Sequence, residues 1–249
     1  MKISIITVCF NAQETIEDTL KSVLSQDYPE LEYIVIDGGS RDATCEIISR
    51  YRDRLAHCVS EPDRGIYDAM NKGIRLASGE IIGLLNADDI YADSGVISRA
   101  VAAMQKDALD AVYADVVFFR PQQPQQAVRR YRSSFFHPRL LGWGWMPAHP
   151  TLFLRRNVYE KYGEFRTDMR IASDYEFIAR IFKDRSLNYR YIPEVWVRMR
   201  TGCISTGGLR SSWLLNREVL RACRLNGIRT CLPMLLSKYP LKLLEIIRR

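Results

Sequence analysis

Short apolar, β-branched runs recur through the first half of the chain at residues 3–10, 33–36, 56–59, 81–85 and 111–112. Segments with helical periodicity separate them, at residues 14–25, 44–52, 66–77 and 94–105. Runs this short and this apolar are buried on both faces, and strand–helix–strand alternation joins parallel neighbours through crossover helices. The expected fold is therefore α/β: a Rossmann-like, mostly parallel sheet with helices on both faces. Asn11 and Glu14 stand at N-cap and N3 spacing ahead of the first helix, as in a capping box.

From Val116 the pattern loosens. A polar Pro/Gln stretch at residues 121–126 reads as a mobile surface loop. A strand near Arg129–Arg132 and the Trp-rich Gly142-Trp143-Gly144-Trp145 follow. Further strands are expected at 151–154, 189–192 and 195–199, with helices at 156–162 and 174–183. Beyond Ser205 the chain reads as helical and basic, broken by Pro233 and Pro240. The pattern divides the chain into a domain over 1–206, in two parts that meet at about 115 and 116, and a basic amphipathic helical tail over 207–249.

The 249 residues carry a net charge of +7, and its placement matters more than its size. Residues 210–249 hold nine Lys/Arg against two Asp/Glu, whereas residues 1–209 hold 27 of each sign. Any argument from charge to partners concerns the tail alone. Leucines and cations interleave there (Leu214, Arg217, Leu220, Arg221, Arg224, Leu225, then Leu235 to Arg249), which suits either an anionic membrane leaflet or a helix packed on the domain with a solvated cationic face. The six cysteines show no C-x-x-C pair and read as reduced thiols of a cytoplasmic protein. The first apolar run is too short for a signal peptide, and no stretch reaches the roughly 18 apolar residues of a membrane span.

Ligands of open parallel sheets bind beyond the carboxyl ends of the strands. The four predicted strand ends carry Asn11, then Asp37-Gly38-Gly39-Ser40, then Glu61-Pro62-Asp63-Arg64-Gly65, then Asn86-Ala87-Asp88-Asp89. Asp and Asn are common in turns, so each alone says little; four together point to one polar rim. The chain has no P-loop and no G-x-G-x-x-G after the first strand. A carboxylate rim repels a polyphosphate unless a hard cation such as Mg²⁺ or Mn²⁺ stands between them, with Asp88 and Asp89 as its ligand source.

These segments resemble the family-2 inverting glycosyltransferases of the GT-A fold: Ser4-Ile-Ile-Thr-Val-Cys-Phe-Asn11, Asp37-Gly-Gly-Ser40, Glu61-Pro-Asp-Arg-Gly-Ile-Tyr-Asp-Ala-Met-Asn-Lys-Gly73 and Asn86-Ala-Asp-Asp89. Ala148-His149-Pro-Thr-Leu-Phe153 and Ala172-Ser-Asp-Tyr-Glu-Phe177 extend the resemblance, in the same order, over residues 3–206. It is strongest to bacterial enzymes that build O-antigen, colanic acid and related exopolysaccharides. The resemblance implies a UDP-sugar donor, a polyprenyl-diphosphate-linked saccharide acceptor and a divalent cation, Mn²⁺ or Mg²⁺, at the diphosphate. It implies work at the cytoplasmic face of the inner membrane, with no nucleic acid partner.

It also implies roles for residues. Phe10 and Asp37 correspond to positions that stack on and hydrogen-bond the uracil. Asn11 and Asp63 fall on the nucleotide side. Asp88 takes the second acidic position of the D-x-D metal motif, with Asp89 beside it, and Asn86 replaces the first acid. Asp174 falls where the family keeps its catalytic base, although Ser173-Asp174 ahead of a helix is also an ordinary cap. His149 reads as a structural or positioning histidine or a catalytic one. Trp143 and Trp145 read as an acceptor platform or as loop anchors, and Tyr67 and Asp68 as donor-sugar neighbours or helix packing. Two other classes compete: a nucleotidyltransferase, whose Gly/Lys-rich triphosphate loop is missing, and a basic nucleic-acid-binding protein, which leaves the neutral first 209 residues unexplained.

Overall fold

The computed structural model describes residues 1–201 and 208–237. The interleaved leucines and cations from residue 238 onward, the break at Pro240, the tail's proposed start at 207 and Cys203 lie outside them. Among the described residues nine strands form one sheet: β1 (Ile3–Cys9), β2 (Leu31–Asp37), β3 (His57–Ser60), β4 (Ile81–Leu84), β5 (Asp89–Tyr91), β6 (Ala111–Arg120), β7 (Gln123–Tyr131), β8 (Phe153–Arg155) and β9 (Tyr189–Arg200). The helices are α1 (Ile16–Leu24), α2 (Thr44–Ser49), α3 (Ile66–Leu76), α4 (Val96–Lys106), α5 (Arg156–Tyr162), α6 (Ser173–Phe182), α7 (Gly208–Leu225) and α8 (Leu232–Leu236).

The strand order is β3-β2-β1-β4-β8-β6-β9-β5, with β7 on the free edge of β6. Pairing among β3, β2, β1 and β4 is parallel, as is the long β6–β9 pairing. β8 runs antiparallel to both β4 and β6. Alternation along the strands feeds two cores, because successive side chains point to opposite faces. Ile6, Val8, Ile34 and Ile36 pack with α3, α5, α6 and α7 on one side. Ile3, Ile5, Tyr33 and Val35 pack with α1, α2 and α4 on the other. Helices therefore cover both faces, and a mostly parallel α/β sheet is what the chain forms.

Three readings change. The capping box at Asn11 and Glu14 does not form: α1 begins later, behind Thr15, with no side-chain cap, and Asn11 is used elsewhere. The Pro/Gln stretch is a loop only at the Pro121-Gln122 turn, and from Gln123 it belongs to β7, paired antiparallel to β6 with an irregular register. Its Pro124 is tolerated because β7 is an edge strand that needs no N–H donor on its open side. The strands expected at 189–192 and 195–199 form one strand, β9, with shifts in register against β6 around Pro193. The basic segment, read as suiting either a membrane leaflet or a helix packed on the domain, does pack over its described part, since Val219, Ala222, Cys223 and Leu235 lie in the same core as α3 and α6.

One buried carboxylate ties the start of the sheet together. Glu32 on β2 accepts hydrogen bonds from Ser4 Oγ (2.5 Å), Ser78 N (2.7 Å) and Ser78 Oγ (2.6 Å), and pairs with Lys2 Nζ at 2.6 Å. Burial pushes its pKa up, but the Lys2, Ser4 and Ser78 hydrogen bonds outweigh that and hold it at about 2. A carboxyl depressed in the folded state stabilises the fold above its unfolded pKa and loses that contribution as pH falls. Acid titration followed by circular dichroism should show Glu32→Gln losing roughly 2–3 kcal/mol of stability at neutral pH. The gap to the parent should then close between about pH 4.5 and 2; a gap constant over that window would contradict the assignment.

Candidate active site

Because β3, β2, β1 and β4 are parallel neighbours, their carboxyl ends open on one edge of the sheet. Phe10, just past β1, is 60% exposed there. Asn11 adopts a positive φ of 49°, its N–H donates to Ser40 Oγ (2.7 Å), and its Oδ1 accepts from Arg41 N (2.9 Å). Asn11 thus locks the turn after β1 onto the loop after β2. Gly39 in that loop has φ +81°, a conformation glycine adopts without penalty.

Asp37 lies beneath this loop, fully buried, rather than on the rim surface. Its carboxylate accepts from Gly39 N (3.1 Å), Ser40 N (2.9 Å), Ser40 Oγ (2.5 Å), Ser60 Oγ (2.6 Å) and Cys45 Sγ (3.2 Å). Burial raises its pKa, and the Ser40 and Ser60 hydrogen bonds outweigh that and lower it. Four of these donors converge on Oδ2 and Ser40 Oγ reaches Oδ1, so Asp37 shapes the Gly38–Ser40 loop from beneath. Asp63 closes the same corner. Its Oδ1 accepts from Gly65 N (2.7 Å), and its Oδ2 lies so near Gly38 that a Cβ there would collide with it.

Past β4, Asn86 and Asp88 are partly exposed at the rim. Asp89 begins β5 with its carboxyl completely buried and without a hydrogen-bond partner among the described residues. Burial first and the neighbouring Asp88 second raise its pKa well above the usual carboxylate range, with Arg200 opposing. Adjacent residues entering a strand point to opposite faces, so one of the pair faces the rim and the other the core. The Asp89 carboxyl, expected beside Asp88 as a metal ligand, lies in the core, and Asp88 is the one partly exposed at the rim. Among the described residues no three His, Cys, Asp or Glu side chains cluster to hold a metal ion. A hard cation held by one carboxylate and by substrate phosphates needs no such cluster, and Asp88 with the Asn86 carbonyl suits that arrangement.

The antiparallel direction of β8 brings its start to the carboxyl end of β4, and with it the 3-10 turn His149–Thr151. The first turn of α6 reaches the same place. Asp174 Oδ1 accepts from Tyr67 Oη (3.2 Å) and from Tyr175 N (2.8 Å). Asp174 Oδ2 lies 3.6 Å from His149 Nδ1. Burial and the Asp174 charge push the Tyr67 phenol far up, so it stays protonated and serves as a donor. Leu84, Leu152, Phe177 and Ile178 back the Asp174–His149 pair on its inner side, while the two side chains stay 20% and 28% exposed. The structure thus brings together three residues distant in sequence: Tyr67, His149 and Asp174. Asp174 is in the first turn of α6, but Ala172 holds the N-cap position and makes no side-chain cap.

The other candidates are placed differently. Asp68 is buried in the first turn of α3, its carboxylate held by Arg64 N (3.2 Å) and Arg64 Nη2 (3.0 Å), so it pairs with the residue just ahead of the helix N-cap. Trp143 is 41% exposed and Trp145 partly buried, either side of Gly144, whose φ is +75°. A residue missed in the sequence supports the site from behind: Glu218 of α7 accepts from the backbone N–H groups of Arg170 (2.8 Å), Ile171 (2.9 Å) and Ala172 (2.9 Å). Tyr175 adds a hydrogen bond to the Leu141 carbonyl. The loop that delivers Asp174 is therefore bolted to α7. The only signal was that Glu218 is the single acid in α7, a helix otherwise cationic or neutral.

Comparison with known proteins gives the family and the fold. The family model described as Glycosyl transferase family 2 matches residues 4–163. A PGL/p-HBAD biosynthesis glycosyltransferase of Mycobacterium bovis is 28% identical over 244 residues, covering 95% of this chain and 90% of that protein. The crystal structure of S. aureus TarS 1-349 in complex with UDP-GlcNAc superposes with a TM-score of 0.70 at 19% identity, over 91% of this chain and 65% of that one. A mannosyltransferase from Pyrobaculum calidifontis, in complex with GDP-Man and Mn²⁺, gives 0.63 at 19% identity over 98% and 80%. At such identities the two structures establish a shared fold.

Proposed function

The chain belongs to glycosyl transferase family 2 and is a glycosyltransferase, and from that premise we propose that it moves a sugar from a UDP-sugar to a saccharide acceptor with inversion at the anomeric carbon. The acceptor proposed is a polyprenyl-diphosphate-linked saccharide of bacterial surface polysaccharide synthesis, of the O-antigen or exopolysaccharide kind, met at the cytoplasmic face of the inner membrane. The observation that carries the reading is the Asp174 carboxylate, delivered to the carboxyl rim of the sheet with one oxygen tied down and the other beside His149.

The chemistry follows from that asymmetry. Oδ1 is engaged by two donors, which fixes the carboxylate in place. Oδ2 is the oxygen left to take the proton from an acceptor hydroxyl as it attacks, the role of a general base. A single displacement of this kind gives a β-linkage from an α-linked donor. Phe10 offers an exposed ring for the uracil to stack on. The Gly38–Ser40 loop, held by Asp37 and Asn11, and Asp63 line the nucleoside side. A divalent cation, Mn²⁺ or Mg²⁺, held by Asp88 with the Asn86 carbonyl and the diphosphate oxygens, would stabilise the charge growing on the departing UDP. Trp143 offers an exposed aromatic face on the acceptor side.

The direct test is a panel of UDP-sugars incubated with the protein and either Mn²⁺ or Mg²⁺, reading UDP release. Release from at least one UDP-sugar is expected, abolished by chelation with EDTA. Release from GDP-sugars alone, or unaffected by EDTA, would reject the donor or the cation respectively. Pyrophosphate release from a nucleoside triphosphate would favour a nucleotidyltransferase instead.

A further inference from the structure

The charge excess of residues 210–249 is sorted by the fold. Along α7 the single acid, Glu218, is turned inward and saturated by three backbone donors, together with buried Val219, Ala222 and Cys223. The opposite side shows Trp213, Arg217, Arg221 and Arg224, all exposed, with Trp213 at 64%. At about 100° per residue these four fall within one narrow stripe of the helix. The Arg217 guanidinium lies 5.4 Å above the Trp213 ring. Asp168 is the acid facing this stripe from the neighbouring segment; it pairs with Arg221 at 2.5 Å and with Arg166 at 2.8 Å.

The next segment adds apolar surface. In α8 Leu235 is fully buried, while Leu232 and Leu236, one turn apart on the other side, are 48% and 44% exposed. The chain before α8 is fastened to the Trp143 turn, because Thr230 Oγ1 donates to the Gly142 carbonyl (2.6 Å) and Gly142 packs directly on the Arg229 carbonyl. Trp143, Leu232 and Leu236 are thus exposed on segments that pack together, and α8 also packs on α7. A helix face that merely meets water has no use for a tryptophan and two leucines. A core face would be covered. Cations with exposed aromatic and aliphatic side chains, and no acid left outward on α7, match a surface that is negative at its head groups and apolar just beneath. No helix among the described residues is long and apolar enough to cross a membrane, so the contact would lie along the surface.

We propose that α7, α8 and the Trp143 turn form a docking face for an anionic lipid bilayer. This deepens the reading of a lipid-linked acceptor, and the same face, through Trp143, adjoins the acceptor side of the site. Nucleic acid would also be drawn to the cations, but it would leave Leu232 and Leu236 without a partner.

The test is co-sedimentation of the full chain with vesicles of phosphatidylcholine alone, or of phosphatidylcholine with one third phosphatidylglycerol. Binding to the anionic vesicles alone is expected. With each surface cation worth about 1 kcal/mol, the double variant Arg217→Gln/Arg224→Gln should bind about 30-fold more weakly, an effect that shrinks in high salt. The Leu232→Ser/Leu236→Ser variant should weaken binding at every salt concentration. No binding to anionic vesicles, or binding unchanged in both variants, overturns the proposal. A salt-dependent shift with single-stranded DNA in place of vesicle binding, or a dimer abolished by Leu232→Ser/Leu236→Ser, overturns it in favour of a nucleic acid or a second copy. UDP release in the same variants should equal that of the parent. If it is absent in parent and variants alike while vesicles still bind, the glycosyltransferase reading of the site has failed and the docking face stands.

Discussion

Replacing Asp174 by Asn is expected to slow sugar transfer by about three orders of magnitude, the middle of the range for a positioned general base. The substitution keeps the volume and one acceptor. With Tyr67 Oη and Tyr175 N both donating to the Oδ1 position, the Asn carbonyl oxygen must sit there, and its NH₂ then occupies the Oδ2 position beside His149. A group that can only donate cannot take a proton from an acceptor hydroxyl. UDP affinity, measured by calorimetry, should stay within about twofold of the parent, since a general base lowers the barrier without adding ground-state affinity. Full transfer activity in Asp174→Asn would move the base elsewhere. An equal loss of UDP affinity would make Asp174 a binding residue.

The second large effect belongs to Asp88. Asp88→Ala is expected to abolish measurable Mn²⁺ binding in the presence of UDP and to cut the transfer rate by about 10²–10³, the scale of losing one charge-stabilising group. The control is its neighbour. Asp89 has a fully buried carboxyl whose pKa burial raises well above the usual range, and no hydrogen-bond partner among the described residues. Asp89→Asn should therefore keep Mn²⁺ affinity close to that of the parent, read by calorimetric titration of the protein–UDP complex. If Asp89→Asn loses the cation and Asp88→Ala keeps it, the assignment within the pair is reversed.

How Asp88 and Asp89 differ shows where sequence reading stopped. A pair of adjacent acids after a strand carries no label for which one faces solvent; β5 pairing with β9 buries Asp89 and leaves Asp88 at the rim. Asp37 is a similar case. Its position at a strand end and its neighbours Gly38, Gly39 and Ser40 were legible, but the hydroxyl of Ser60 and the thiol of Cys45, brought in by β3 and α2, decide that its oxygens face inward. The Pro/Gln stretch misled because composition speaks for a loop, whereas a free sheet edge accepts any backbone able to pair on one side.

What the residues determined alone was the periodic order of the first half: apolar runs buried on both faces, helices between them, and polar groups at each strand end. Period 2 and period 3.6 are local properties, written directly in the spacing of side chains, so four parallel strands and a polar rim could be read without coordinates. The tertiary structure alone decided which distant groups share that rim. Tyr67, His149 and Asp174 meet only because β8 turns back against β4 and because Glu218, from a helix that sequence assigned to the basic tail, holds the loop before α6. Such meetings depend on the directions and registers of elements far apart in the chain, and no local pattern of residues encodes them.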